Sequence, residues 1–256
     1  TQSQLKLLKP IADPLHHITA VISAISELKR EYIDPNQFET ILHSEAERLE
    51  QDIVEYWEAQ AEKARVSAAA GKTSRPKEHL SVVLTKRVRD LAKQKELHLI
   101  YTHYQSELIK RKRYDFDDMI TFVVRAFESD SELLLDYQEQ FQYILVDEYQ
   151  DTNASQNRIV ELLASYWEDT PSLFVVGDPH QSIFRFQGAS MENMVRFIDR
   201  YPKTVIITLT TGYRCPQTLY DAAHELITHN KLTLAKSEFD AALSQCLTAA
   251  QGQGVP

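Results

Sequence analysis

The decapeptide Ile144-Leu145-Val146-Asp147-Glu148-Tyr149-Gln150-Asp151-Thr152-Asn153 constrains this chain more than any other stretch. An apolar run ends abruptly in adjacent carboxylates. That is the pattern of a buried parallel strand delivering acids to the carboxyl edge of an α/β sheet, where such sheets place their ligands. At that edge one acid can hold a nucleotide-bound Mg²⁺, and the next can orient a water for attack on a phosphate. The pair therefore points to nucleoside-triphosphate chemistry. A phosphate-cradling loop does not accompany it. Gly71-Lys72-Thr73 matches only the last three letters of GxxxxGK(S/T), with Val66 where the first glycine belongs and a charged helical pattern where a strand should precede. A basic turn between helices is the better reading there.

Composition matters mainly through charge. The net charge of −9 argues against nucleic acid until it is divided along the chain. Between Ala61 and Arg113 there are 14 Lys+Arg against 5 Asp+Glu, a local +9 that leaves −18 for the rest. A segment of that sign is suited to phosphate contact, or to a solvated helix face. Two cysteines, Cys215 and Cys246, without CxxC spacing argue against a disulfide framework or a zinc site. No apolar stretch approaches membrane-spanning length, and the first residues are not signal-like, so a cytoplasmic protein without membrane contact is expected.

The pattern before Arg113 is helical. Asp13-Pro14 and Asp34-Pro35 each offer an N-cap followed by proline at the first helical position. Leu15, Ile18, Ile22, Ile25 and Leu28 follow the first at helical spacing, and Phe38 and Ile41 follow the second. A charged helix runs on to about Ala70, and Gly71–Pro76 breaks it. A further helical pattern carries Leu84, Val88, Leu91, Leu97, Tyr101, Tyr104 and Leu108. Beyond Arg113, strand-like runs at 143–146, 173–176 and 205–209 alternate with helical patterns around 156–165 and 191–200, which argues for a parallel sheet. A last helix places Leu219, Ala223 and Leu226 on one face.

Two further motifs join the acidic pair. The run VVGDPHQSIFRFQGA, Val175 to Ala189, reads as a second strand that ends in a glycine turn and delivers Gln181. A glutamine beside a γ-phosphate can sense it by one hydrogen bond. Phe184 and Phe186, flanking Arg185, offer faces for base stacking, or serve as core. Thr211-Gly212-Tyr213-Arg214-Cys215-Pro216 puts an arginine, always charged and forked for phosphate, after a later strand.

Together DEYQDTN, GDPHQSIFRFQGA and GYRC, in that order and preceded by Asp115-Phe116-Asp117-Asp118-Met119, resemble the ATPase motifs of the UvrD/Rep/PcrA-type superfamily 1 DNA helicases. The resemblance is strong from about Lys112 to Leu226 and general upstream. It implies ATP as the nucleotide, Asp147 as the Mg²⁺-coordinating acid and Glu148 as the base that activates water. It also implies Gln181 as γ-phosphate sensor, Arg214 as the arginine contacting the γ-phosphate from a second motor domain, and Tyr213 as an adenine-stacking ring. Phe184 and Phe186, with Arg185 between them, match the single-strand track. Asp115 and Asp117 take a structural or relay role only. Gln187 stands where the family usually has arginine, and Ser190 where aspartate commonly follows Gly-Ala.

The implied fold is α/β: a helical insertion subdomain at 1–110, the later part of a RecA-like motor domain at 111–202 with a partial parallel sheet, and the start of a second motor domain at 203–256. Neither the phosphate loop nor a TFTNKAA-like motif is present, which the resemblance explains as truncation at both ends. The parent would be an ATP-dependent, 3′→5′ DNA helicase that tracks single strands and opens single/double-strand junctions in repair or replication. The isolated chain would be a weak ATPase. The alternatives are a non-catalytic module with a degenerate motor fold that binds nucleic acid or a partner, and a helicase–nuclease fusion.

Overall fold

The structure, a computed structural model, describes residues 17–69, 79–167, 170–181, 191–229 and 246–250. The chain divides into two compact units, residues 1–121 and 122–256.

The first unit is helical. Helix α1 spans Ile18–Arg30, α2 Pro35–Ala69 and α3 Val82–Lys110, and α4 begins at Phe116. The Asp34-Pro35 expectation is met in detail. Asp34 Oδ1 accepts the Gln37 N–H at 2.9 Å, and the Gln37 side chain accepts the Asp34 N–H at 2.9 Å, a reciprocal cap with proline at N1. Helices α2 and α3 run antiparallel: Phe38 meets the His98 ring, Asp52 pairs with Arg87, and the Tyr56 hydroxyl donates to the His79 carbonyl at 3.2 Å. Their core is Ile25, Phe38, Leu42 and Tyr101, with Val21, Leu28, Leu91 and Leu97 packed against it. The inward stripe of α1 therefore departs from the one expected. Ile22 is 60% exposed and Ile18 also faces out, while Val21, Ile25, Leu28 and Lys29 turn inward. Apolar residues surround most of α1, so periodicity alone permits two stripes, and the carboxylates that receive Lys29 select one. The Asp13-Pro14 cap, Leu15 and the Gly71–Pro76 break lie outside the described residues.

In the second unit α4 ends at Ser129, and α5 (Ser131–Gln140) leads into β1 (Ile144–Val146). A 3₁₀ turn at Tyr149–Asp151 precedes α6 (Ala154–Ala164), β2 (Leu173–Val175) and α7 (Met191–Arg200). Strands β1 and β2 pair in parallel, with Ile144 opposite Leu173 and Val146 opposite Val175. Tyr149, Met194, Phe197 and Tyr201 form a core against Val146, Leu173 and Val175. Only that face is covered. Leu145 is 74% exposed and Phe174 is also open, so β1 is not buried on both faces as its apolar run suggested. Among the described residues, no element forms a second layer.

The expected strand at 205–209 does not form. No described segment offers it ladder hydrogen bonds, and Val205, Ile207 and Leu209 stand exposed. Pairing instead begins at β3 (Thr211–Gly212), parallel to β4 (Thr248–Ala249), with α8 (Gln217–Thr228) between them in sequence. The Leu219/Ala223/Leu226 face of α8 is exposed rather than buried, because the helix is held through Gln217 and Tyr220 instead. The architecture is thus mostly helical with two small parallel ladders. No helix among the described residues is long and apolar enough to cross a membrane.

Candidate active site

Parallel pairing puts the ends of β1 and β2 on one rim. Asp147 and Glu148 follow β1 there, and Gly177 and Asp178 leave the end of β2. Backbone bonds stitch the two exits together: Val176 N–H to the Val146 carbonyl, and Tyr149 N–H to the Val176 carbonyl, both at 2.9 Å. Both acids are exposed. Glu148 has φ 49°, a left-handed conformation that a residue with a Cβ adopts at a cost. Asp147 Oδ1 accepts the Glu148 N–H at 2.9 Å, and the Glu148 carbonyl accepts the Asp151 N–H at 2.9 Å.

A hydrogen-bond path runs from the acid of one strand to the glutamine of the next. Gln150 Nε2 donates to Glu148 Oε2 at 2.6 Å, and Gln150 Oε1 accepts the Asp178 N–H at 3.0 Å. Asp178 Oδ2 accepts from Gln181 Nε2 at 2.8 Å, and its Oδ1 accepts the His180 N–H at 3.0 Å. Gln150 is buried; Gln181, in a short 3₁₀ turn at Pro179–Gln181, is exposed. Asp147, Glu148 and Gln181 therefore stand at one rim. Gln150 and Asp178, which connect them, escaped the sequence reading. The signal available for both was their place inside DEYQDTN and GDPHQSIFRFQGA, the motifs that carry the resemblance.

Tyr213 and Arg214 follow β3. Both side chains are exposed, and the Tyr220 hydroxyl of α8 accepts the Arg214 and Cys215 backbone N–H groups at 3.3 and 3.1 Å. Gly212 makes room for that ring, since a Cβ there would lie 2.3 Å from Tyr220 Cζ. No hydrogen bond or ion pair joins Arg214 to the acids among the described residues. Phe184, Arg185, Phe186, Gln187 and Ser190 lie outside the described residues. A cavity of 570 Å³ lined by Gln142, Tyr143, Tyr166 and Trp167 sits at the amino-terminal end of β1 and β2, opposite the acids, and takes no part in this chemistry.

In the first unit, Asp115 and Asp117 each have defined partners. Lys29, 2% exposed, pairs with Asp115 and, at 2.8 Å, with Asp118. The Tyr104 hydroxyl donates to Asp115 Oδ2 at 2.9 Å, and Asp118 N–H donates to Asp115 Oδ1 at 2.9 Å. Ser26 and Arg30 hold Asp117. Burial works to raise the Asp115 carboxyl, but the Lys29 hydrogen bond and the Asp118 N–H together hold it below its ordinary value. Burial and the bond to Asp115 push the Tyr104 phenol up to about 12. Lys29 and Asp118 were not anticipated, because a lysine in an amphipathic helix ordinarily reads as solvent-facing.

Comparison with known proteins places the chain in a family. The chain is 42% identical over 147 residues to the ATP-dependent DNA helicase PcrA of Leuconostoc citreum, covering 57% of this chain and 19% of that protein. It is 44% identical over 131 residues to the PcrA of Staphylococcus aureus strain Mu50, and 43% identical over 131 residues to that of Staphylococcus epidermidis. Each of those matches covers 51% of this chain and 18% of the relative, so the chain matches about a fifth of the length of the proteins it resembles. The model of the UvrD/REP helicase N-terminal domain family matches residues 4–202, well over half of the chain, and the chain belongs to that family.

Proposed function

We propose that this chain is part of an ATP-dependent DNA helicase that moves 3′→5′ along a single strand and opens single/double-strand junctions during repair or replication. Residues 1–110 form the helical insertion, 111–202 the later part of a RecA-like motor domain, and 203–256 the start of a second. The observation that carries the reading is the hydrogen-bonded rim joining Glu148, through Gln150 and Asp178, to Gln181.

In this reading Glu148 orients a water and accepts its proton as the water oxygen attacks the γ-phosphorus of ATP. The bond to the β,γ-bridging oxygen breaks, and ADP departs. Gln181 senses the γ-phosphate, Arg214 contacts it from the second domain, and Tyr213 stacks on the adenine. Asp147 suits Mg²⁺: it is an exposed hard carboxylate whose Oδ2 takes no hydrogen bond from a described residue. Mg²⁺ is characteristically held by one or two carboxylates together with substrate phosphates and water. Such a cation supplies charge neutralisation on the phosphates. Phe184 and Phe186, with Arg185, contact the single strand, helped by the basic 61–113 stretch.

In the full-length protein, Glu148→Gln is expected to lower DNA-stimulated ATP hydrolysis by about 100-fold or more. Hydrolysis that survives this substitution refutes the assignment. The 256-residue chain alone hydrolyses ATP weakly, lacking the lysine and amides of a phosphate loop. Substantial hydrolysis by it, abolished by Glu148→Gln, contradicts that part. Phe186→Ala should weaken single-strand affinity by about 1–3 kcal/mol, against a steep negative salt dependence. Unchanged affinity would return Phe186 to the core.

A further inference from the structure

We infer that Gln150 is a positioning residue that sets the orientation of the Glu148 carboxylate from the β2 side of the rim. The inference rests on the proposed role of Glu148. Gln150 is 1% exposed, and its two amide atoms face different strands' exits. Nε2 donates to Glu148 Oε2 at 2.6 Å, while Oε1 accepts the Asp178 N–H at 3.0 Å. A primary amide donates at its nitrogen and accepts at its oxygen, which is what these two partners need. The partners also fix which way it points. Exchanging the amide oxygen and nitrogen would set oxygen against a carboxylate oxygen and NH₂ against an N–H.

The opposite wall fits the same assignment. A Cβ on Gly177 would lie 2.6 Å from Gln150 Oε1 and 2.6 Å from Met194 Cε, so the β2 exit closes directly over the amide oxygen. Glu148 itself is exposed, and a carboxylate in water has many rotamers. A charge-assisted hydrogen bond from a buried donor selects among them. Because Asp178 also receives Gln181 Nε2 at 2.8 Å, a shift of the 178–181 turn is felt at Glu148 through one side chain.

Two substitutions in the full-length protein separate positioning from mere packing. Gln150→Glu keeps an oxygen for the Asp178 N–H but turns a carboxylate oxygen toward Glu148; Gln150→Met keeps the volume and loses both bonds. Both variants should lower kcat for ATP about 10- to 100-fold, with KM for ATP and single-strand affinity within about twofold of wild type. Gln150→Glu with wild-type kcat overturns the inference, as does a parallel loss of kcat, KM and melting temperature in both variants. A second readout needs no activity. In ¹⁵N spectra of the 256-residue chain, the Gln150 side-chain amide, identified by its loss in Gln150→Met, should shift on Glu148→Gln. An unmoved signal overturns the hydrogen bond itself. Hydrolysis that survives Glu148→Gln overturns the role of Glu148 and the positioning role with it, while the amide shift would remain. Hydrolysis lost in Glu148→Gln but kept in Gln150→Glu overturns the positioning role alone.

Discussion

Substituting Lys29 with methionine tests the least expected part of the first unit. The stem of Lys29 is buried, and its ammonium lies within ion-pair distance of Asp115 and Asp118 and 5.1 Å from the centre of the Tyr104 ring. Methionine fills nearly the same volume, so little cavity results, and what is lost is charge. Removing one partner of a buried ion pair costs about 3–5 kcal/mol, because the other charge stays buried and unpaired. Asp118 is fully buried, but Asp115 retains some solvent contact, which favours the lower end, about 3 kcal/mol. With an unfolding entropy of about 2.1 cal/mol/K per residue over roughly 120 residues, that is a fall in Tm of about 12 °C, read by circular dichroism at pH 7. The pH dependence supplies the sharper check. In the wild type the Asp115 carboxyl sits below its ordinary value, so its contribution is present above the unfolded value and is lost as pH falls through the folded one. In Lys29→Met the Asp115 carboxylate, without its ammonium partner, favours protonation in the folded state, so lowering the pH from 7 to 5 should narrow the gap between the proteins. A Tm drop under about 3 °C, or a gap constant between pH 5 and 7, refutes this reasoning.

Three further outcomes follow from other contacts. Asn153 caps α6 in a reciprocal box with Gln156, so Asn153→Ala should cost about 1 kcal/mol in urea unfolding with the slope unchanged. Gly212→Ala forces the Tyr220 ring away from the Arg214 and Cys215 amides and should cost about 1–3 kcal/mol, while Tyr220→Phe, which keeps the ring and loses only its hydroxyl, should cost less. Burial, with the Glu161 charge, pushes the Tyr149 phenol up to about 12. Its stabilisation is complete below the unfolded value near 10 and is lost as pH rises toward 12, so Tyr149→Phe should flatten the alkaline fall in Tm.

Where sequence and structure agree, the information is local. Asp34-Pro35-Asn36-Gln37 encodes its own cap within four residues, and the acids after Val146 need only a strand before them to reach a rim. Where the two part, the deciding partner is distant in the chain. The inward face of α1 is chosen by Asp115 and Asp118, some 86 to 89 residues beyond Lys29, so Ile22 faces out despite its spacing. Val205–Leu209 has strand composition, but a strand exists only where a neighbour accepts its hydrogen bonds, and the described neighbour pairs two residues later. Gln150 stands inside DEYQDTN, but its part as a link between the strands is not legible there because its second partner, Asp178, is 28 positions away.

That separation bears on what a motif is. The left-handed turn at Glu148 costs of order 1–3 kcal/mol, and such a conformation persists only when its surroundings over-determine it. Two of the bonds that hold the turn are internal to the decapeptide: the Asp147 carboxylate on the Glu148 N–H, and the Glu148 carbonyl on the Asp151 N–H. Two more come from the second strand: the Val176 carbonyl on the Tyr149 N–H, and the Asp178 N–H that anchors Gln150. Gly177 leaves room for the second of these, since a Cβ there would lie 2.6 Å from the Gln150 amide oxygen and push it aside. The decapeptide supplies the acids, but their presentation belongs to the pair of strands. The same ten residues beside a different neighbour would keep their letters and lose the geometry.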